Sequence, residues 1–206
     1  MENRIGINQH VSLQTLDMAL RAALDERLTE AYARDVALGG CDTPGKSQKV
    51  GSLILRLTLR NPLFSYIKQH REEYLTAIRF QGDRALVFTA LVNAAYPFAY
   101  SLTTVMGRYF HAGDNVSSGL VLNRLSRVYA SNHSLSKGIY SVLPMLLEAG
   151  IIRRVTRGLY ARREVNTLTA FSLELYRRSF FVNNPLLDNE SVDFDTHPYF
   201  EFCRPL

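Results

Sequence analysis

Residues 134–163 read SLSKGIYSVLPMLLEAGIIRRVTRGLYARR, an amphipathic helix run straight into a short basic hairpin. Ile139, Val142, Leu143, Leu146 and Leu147 recur at three-and-four spacing, which puts them on one helical face, while Lys137, Tyr140 and Ser141 fall elsewhere. Ser136 stands where a cap would start the helix and Gly150 where one would end it. Beyond Gly150, residues 151–155 and 159–163 have strand character, and Thr156, Arg157 and Gly158 supply a tight turn. Lys137, Arg153, Arg154, Arg157, Arg162 and Arg163 are six cations in this stretch against one acid, Glu148. Such a surface concentrates positive potential, and its natural partner is phosphate. The bland alternative is a structural helix and hairpin whose arginines are merely solvated. Pro144 complicates the helix, because inside one it removes a backbone hydrogen bond and costs about 3 kcal/mol. Either the helix bends there, or it begins near Ser141 with Pro144 in its first turn and a different face outward.

The order of a Ser-Lys start, a helix ending Leu147-Glu148-Ala149-Gly150-Ile151-Ile152, and an Arg-rich ribbon closing on Gly158-Leu159-Tyr160 resembles the winged-helix (winged helix-turn-helix) DNA-binding family. The resemblance implies a helix in the major groove and a wing on backbone or minor groove. Ser136, Lys137, Tyr140 and Ser141 would then face bases or nearby phosphates, with Arg153, Arg154, Arg157 and Arg162 on the wing side. It also implies double-stranded DNA as partner and, since winged helices often pair, a homodimer. Over residues 60–155 the chain is similar to the small BrxA proteins of BREX phage-defence systems. That similarity is carried by Ala94-Ala95-Tyr96-Pro97-Phe98 and the helix ending in Leu147-Glu148-Ala149-Gly150-Ile151-Ile152. It implies a cytoplasmic, mostly helical, non-catalytic DNA-binding protein working with partner proteins of a defence complex.

Composition is consistent with a folded, phosphate-seeking chain. The 206 residues are 47% hydrophobic and 21% charged, which argues against wholesale disorder. The net charge of +5 and pI near 9.3 favour an anionic partner. Cys41 and Cys203 stand far apart outside any pairing or zinc motif, as in a reducing compartment. The first ten residues are polar and lack the apolar centre of a secretory signal. The longest apolar run, 85–107, is interrupted by Asn93 and Pro97 and reads as buried helix rather than a membrane span. The sequons at Asn115, Asn132 and Asn189 therefore read as chance matches in a cytoplasmic chain.

Elsewhere the pattern is helical. Leu13, Leu16, Leu20, Leu24 and Leu28 predict one helix over 13–38, stopped by Gly39-Gly40. A second is expected over 50–60 and a third from Pro62 to about Phe80. Residues 84–110, rich in Leu and Phe, should form the centre of the core, divided at Pro97. Residues 116–129 predict the first helix of a helix-turn-helix pair, with Arg124 and Arg127 outward and 130–133 as the turn. Another helix is expected over 167–181. From Asn183 the chain is acidic, with Asp188, Glu190, Asp193, Asp195 and Glu201, yet holds Phe194, Tyr199, Phe200 and Phe202. It reads as a solvated terminus or as a segment docking on the basic wing of its own or a neighbouring chain.

The reading is a mainly α protein: a helical domain over 1–112, a winged helix-turn-helix over 113–165, and a C-terminal helix and acidic tail over 166–206. Its expected function is non-enzymatic DNA binding without a cofactor or metal; the rival is a protein-interaction adaptor. A third reading comes from residues 40–47, GCDTPGKS, which match the phosphate-binding pattern G-x-x-x-x-G-K-S letter for letter. That motif needs a buried strand before it, and the sequence before Gly40 is helical. His10, His70, His111, His133 and His197 are scattered, and no nucleophile and base fall together in sequence.

Overall fold

Residues 81–95 are apolar on nearly every side, and a helix with no polar face has to be surrounded by protein. The computed structural model, which describes residues 4–38, 44–113, 115–129 and 132–204, places this segment at the centre. Helix α6 (Gln81–Ala95) is buried without a break from Ala85 to Ala95. The helices α1 (Leu13–Leu24), α2 (Glu30–Leu38), α3 (Pro44–Leu57), α4 (Phe64–Gln69) and α5 (Arg71–Ala77) precede it. Following it are α7 (Pro97–His111), α8 (Ser118–Tyr129), α9 (Leu135–Ala149), α10 (Ala170–Asn183) and a 3-10 helix, Pro198–Cys203. Strands β1 (Val116–Ser117), β2 (Ile152–Thr156) and β3 (Leu159–Arg162) form an antiparallel sheet in the order β1-β3-β2. The molecule is mainly helical, and one cluster of buried side chains runs from Ile5 through α6 and α9 to Phe202. Among the described residues no helix is long and apolar enough to cross a membrane.

Three expected helices are cut differently. The first divides in two because Asp25 and Glu26 leave the helical path, Glu26 at φ 57°. Thr29 then starts α2, its Oγ1 accepting from the Tyr32 N–H at 3.1 Å, a cap that the leucine spacing had hidden. Residues 62–80 break at His70, whose backbone (φ −111°, ψ 43°) belongs to neither α4 nor α5. By contrast α3 begins earlier than the expected 50, at Pro44. Pro97 does divide the apolar run, as the first residue of α7, where its missing N–H is harmless. Residues 39–43 lie outside the described residues, and with them the first half of the GCDTPGKS match, whose second half opens α3. The element before it is helix α2, not the strand that a phosphate-binding loop follows.

Buried polar groups tie distant elements together. The Asp83 carboxylate on α6 accepts from the backbone N–H groups of Leu168 (2.9 Å) and Thr169 (3.0 Å) and from the hydroxyls of Thr169 and Ser172. Asp83 thereby sits at the positive end of α10. Asn93, which interrupts the apolar run, accepts from Thr103 and donates to the Tyr199 hydroxyl at 3.1 Å.

The acidic tail is not a solvated terminus throughout. Tyr199, Phe200 and Phe202 are buried, and the 3-10 helix lies along α7. Gly107 makes the approach possible: a Cβ there would lie 2.0 Å from the Pro198 carbonyl oxygen. Gly107→Ala should therefore cost about 1–3 kcal/mol, read as a lowered Tm. An unchanged Tm would place the tail elsewhere. Burial also isolates the Cys203 thiol, whose pKa is pushed up to about 12.

His197 gives the tail a pH response. Its Nδ1 accepts from the Tyr199 N–H at 3.1 Å, which requires an unprotonated nitrogen. Burial first, then the charges of Arg108 and Arg204, hold its pKa below the ordinary 6.5. The folded state thus resists protonation, so its stabilising contribution is complete above the unfolded value and lost as pH falls toward the folded one. His197→Asn keeps an acceptor but does not titrate. Between about pH 7 and pH 5 the wild type should lose Tm relative to this variant, and parallel Tm profiles would contradict the assignment.

Candidate nucleic-acid interface

Helix α9 runs through Pro144 without starting anew, so the option of a start near Ser141 is excluded. Ser134, not Ser136, precedes its first residue, and no side chain caps the end. The Asn132 side chain instead accepts from the Ser134 N–H at 3.0 Å, and Leu135 N–H donates to the Asn132 carbonyl at 2.9 Å. The first N–H groups of any helix lack intrahelical partners, and such an end favours anions. Gly150 closes the helix in the left-handed region at φ 89°, and the Arg163 guanidinium lies near it, where the helix dipole favours a cation.

Most of α9 is inside the molecule. Leu135, Gly138, Ile139, Val142, Leu143, Met145, Leu146 and Ala149 are buried. The extended segment before α1 lies across it: a Cβ on Gly138 would meet Ile5 Cγ2 at 2.5 Å, and Glu148 pairs with His10 (2.8 Å) and accepts from Leu13 N–H. The first turns are open, and further along Glu148 is exposed as well. In the first turns Ser136 and Lys137 are exposed, with Tyr140 67% exposed. Ser141 does not join them: it is buried and its hydroxyl donates to the Lys137 carbonyl at 2.8 Å. This is the usual back-bond of a mid-helix serine, and it removes Ser141 from the expected contact set.

The hairpin divides its arginines by their distance from the tail that covers its base. Ile152, which is buried, faces Arg162 across the ladder, Arg153 faces Ala161, and Arg154 faces Tyr160. Cross-strand partners share a face, so Arg162 lies on the face of Ile152, as Arg154 does, and Arg162 is the one that the tail covers. Its side chain is 8% exposed, pairs with Glu201 Oε1 at 3.2 Å, and donates to the carbonyls of Glu201 and Arg204. Arg162 is therefore a buried structural cation, not a DNA contact. Arg153 and Arg154 lie on opposite faces of β2, an edge strand, and both are exposed. A bulge between Arg154 and Thr156 precedes the turn at Arg157 and Gly158. Gly158 adopts φ 77°, and its carbonyl accepts from the Ser118 N–H at 2.8 Å, which fastens the turn to the start of α8.

What remains exposed is cationic and unpaired. Among the described residues Lys137, Arg153, Arg154 and Arg157 make no ion pair or side-chain hydrogen bond, and Glu148, the acid of this stretch, is taken up by His10 and Leu13. The tail acids do not reach them either. Asp188 is engaged by Ser191 and Asp193 by Thr196, while Glu201 holds Arg162, Arg204 and His111. The anticipated docking of the tail on the wing is thus confined to Arg162 at the base of the hairpin. On the neighbouring α8, Arg127 is exposed, whereas Arg124 lies over the Tyr109 ring and donates to its hydroxyl. The anchor that the sequence reading missed is Ser118; its only signal was the Ser117-Ser118-Gly119 run. Among the described residues no group of His, Cys, Asp and Glu is arranged to hold a metal ion.

Comparison with protein-family models, curated proteins and solved structures yields no match to this chain.

Proposed function

We propose that this chain binds double-stranded DNA in the manner of a winged helix, with the first turns of α9 in the groove and the β2–β3 hairpin on the backbone. The observation that carries the reading is the set of exposed, unpaired cations, Lys137, Arg153, Arg154 and Arg157, beside an α9 start without a side-chain cap. The element order α7-β1-α8-α9-β2-β3, with β1 beside β3, is the connectivity that such a reading asks for. Recognition helices contact bases through their N-terminal residues, and here those are the exposed ones. Ser136 and Tyr140 are the candidates for base or sugar contact; Lys137 and the three wing arginines supply phosphate contacts. Their expected effect is affinity before sequence preference. A place within a phage-defence complex, as the likeness to BrxA implies, fits a DNA-binding subunit without its own chemistry.

Titrating a random-sequence duplex into isotope-labelled protein tests the placement. Backbone resonances of 136–140 and 153–158 should shift, and those of α1 to α3 should stay. Shifts confined to the helical body, or none, would turn the reading toward a protein-interaction adaptor.

A further inference from the structure

A cleft of about 730 Å³ opens between the segment at Arg4–Gly6, the start of α7, the end of α8 and the chain leaving α10. This is ample for a small organic ligand. Its wall is mostly apolar, with Tyr100, Val128, Val182 and Leu186 prominent, and among the described residues no aspartate or glutamate lines it. Leu186 is 97% exposed at the rim, and Val128 is also exposed. An apolar rim left in water marks a surface that something covers. The charges at the cleft have one sign. Arg4 makes no ion pair or side-chain hydrogen bond among the described residues, while Arg56 is held in place by the Ala95 carbonyl (3.0 Å) and lies 4.7 Å over the Tyr96 ring. One held and one free guanidinium beside an apolar wall match a carboxylate on an apolar body.

We propose that this cleft binds an amphipathic organic anion, a carboxylate with an apolar chain or ring, and that its occupancy bears on α9. Two parts of the lining reach one residue of that helix, Ile5 directly and Tyr129 through the Phe98 ring behind it. Ile5 and the Phe98 ring would meet a Cβ on Gly138 at 2.5 and 2.8 Å, and Phe98 packs edge-on against Tyr129, whose hydroxyl pairs with Ser101 in the cleft. Displacing either part therefore displaces the support of α9. The binding half stands on the cleft alone, and the coupling half rests on the DNA-binding reading.

The test uses decanoate, with decyltrimethylammonium of the same apolar length as control, each below its self-assembly concentration. Calorimetry on the full chain should show saturable one-to-one binding of decanoate and none comparable for the cation. Arg4→Glu should weaken decanoate at least tenfold and Leu186→Asp several-fold. Both positions are exposed, so folding is not at stake. Equal binding of both amphiphiles, or indifference to Arg4→Glu, would overturn the proposal. So would self-association abolished by Leu186→Asp, since a second copy would then be the occupant. Duplex affinity should change at least threefold when decanoate saturates the chain. Saturation without that change overturns the coupling half, whereas decanoate binding by a chain that binds no duplex overturns the DNA reading and leaves the cleft.

Discussion

Replacing Arg153, Arg154 and Arg157 together by glutamate is expected to abolish measurable duplex binding at physiological salt while leaving the fold intact. All three are exposed and engage no carboxylate, so their loss removes nothing from the packed interior. The milder replacement by alanine is more informative. If each arginine neutralises one phosphate, the slope of log affinity against log salt should flatten by about 2 to 3 units. Fluorescence anisotropy with a labelled duplex reads both. A charge-reversed hairpin that still binds normally would remove the wing from the interface.

Glu201→Ala should be the most damaging single change to stability. Glu201 is buried and holds Arg162, Arg204 and His111 at once, and its loss leaves the buried Arg162 guanidinium without a compensating charge. Breaking one side of a buried pair typically costs about 3–5 kcal/mol. For a chain of this size that is a fall in Tm of about 10 °C. Replacing both partners, Arg162→Met with Glu201→Met, should recover much of the loss, because two apolar side chains leave no stranded charge. Equal damage from the double variant would mean that the segment is held by something other than this pair. Removing 188–206 altogether would strip Tyr199, Phe200 and Phe202 from the core, so truncation measures folding and not relief of inhibition.

What could be read in advance was local. The period of α9, its stop at Gly150 and the hairpin that follows are written in consecutive residues, and so is the division at Pro97. What escaped depends on partners far away in sequence. Ser141 looked exposed because α9 was read as an isolated amphipathic helix, whereas the segment through Ile5 covers a further part of its circumference. Arg162 looked like Arg154 because both stand in an Arg-rich strand. Both lie on the face of Ile152, but Arg162 stands at the base of the hairpin, where Glu201, 39 residues on, arrives to meet and cover it. The tail was misjudged by its acids, although the aromatic spacing of Tyr199, Phe200 and Phe202 was the truer signal. Thr29 was passed over because a leucine period is a louder pattern than one hydroxyl, and Ser118 because it anchors the turn through its backbone N–H.

The most direct measurement is the affinity of the unmodified chain for a random-sequence duplex across a range of salt. With Lys137, Arg153, Arg154 and Arg157 each on one phosphate, the log–log slope should lie near −3.6, about −0.9 for each contact. Binding that is absent at low salt, or that does not weaken as salt rises, would contradict the account.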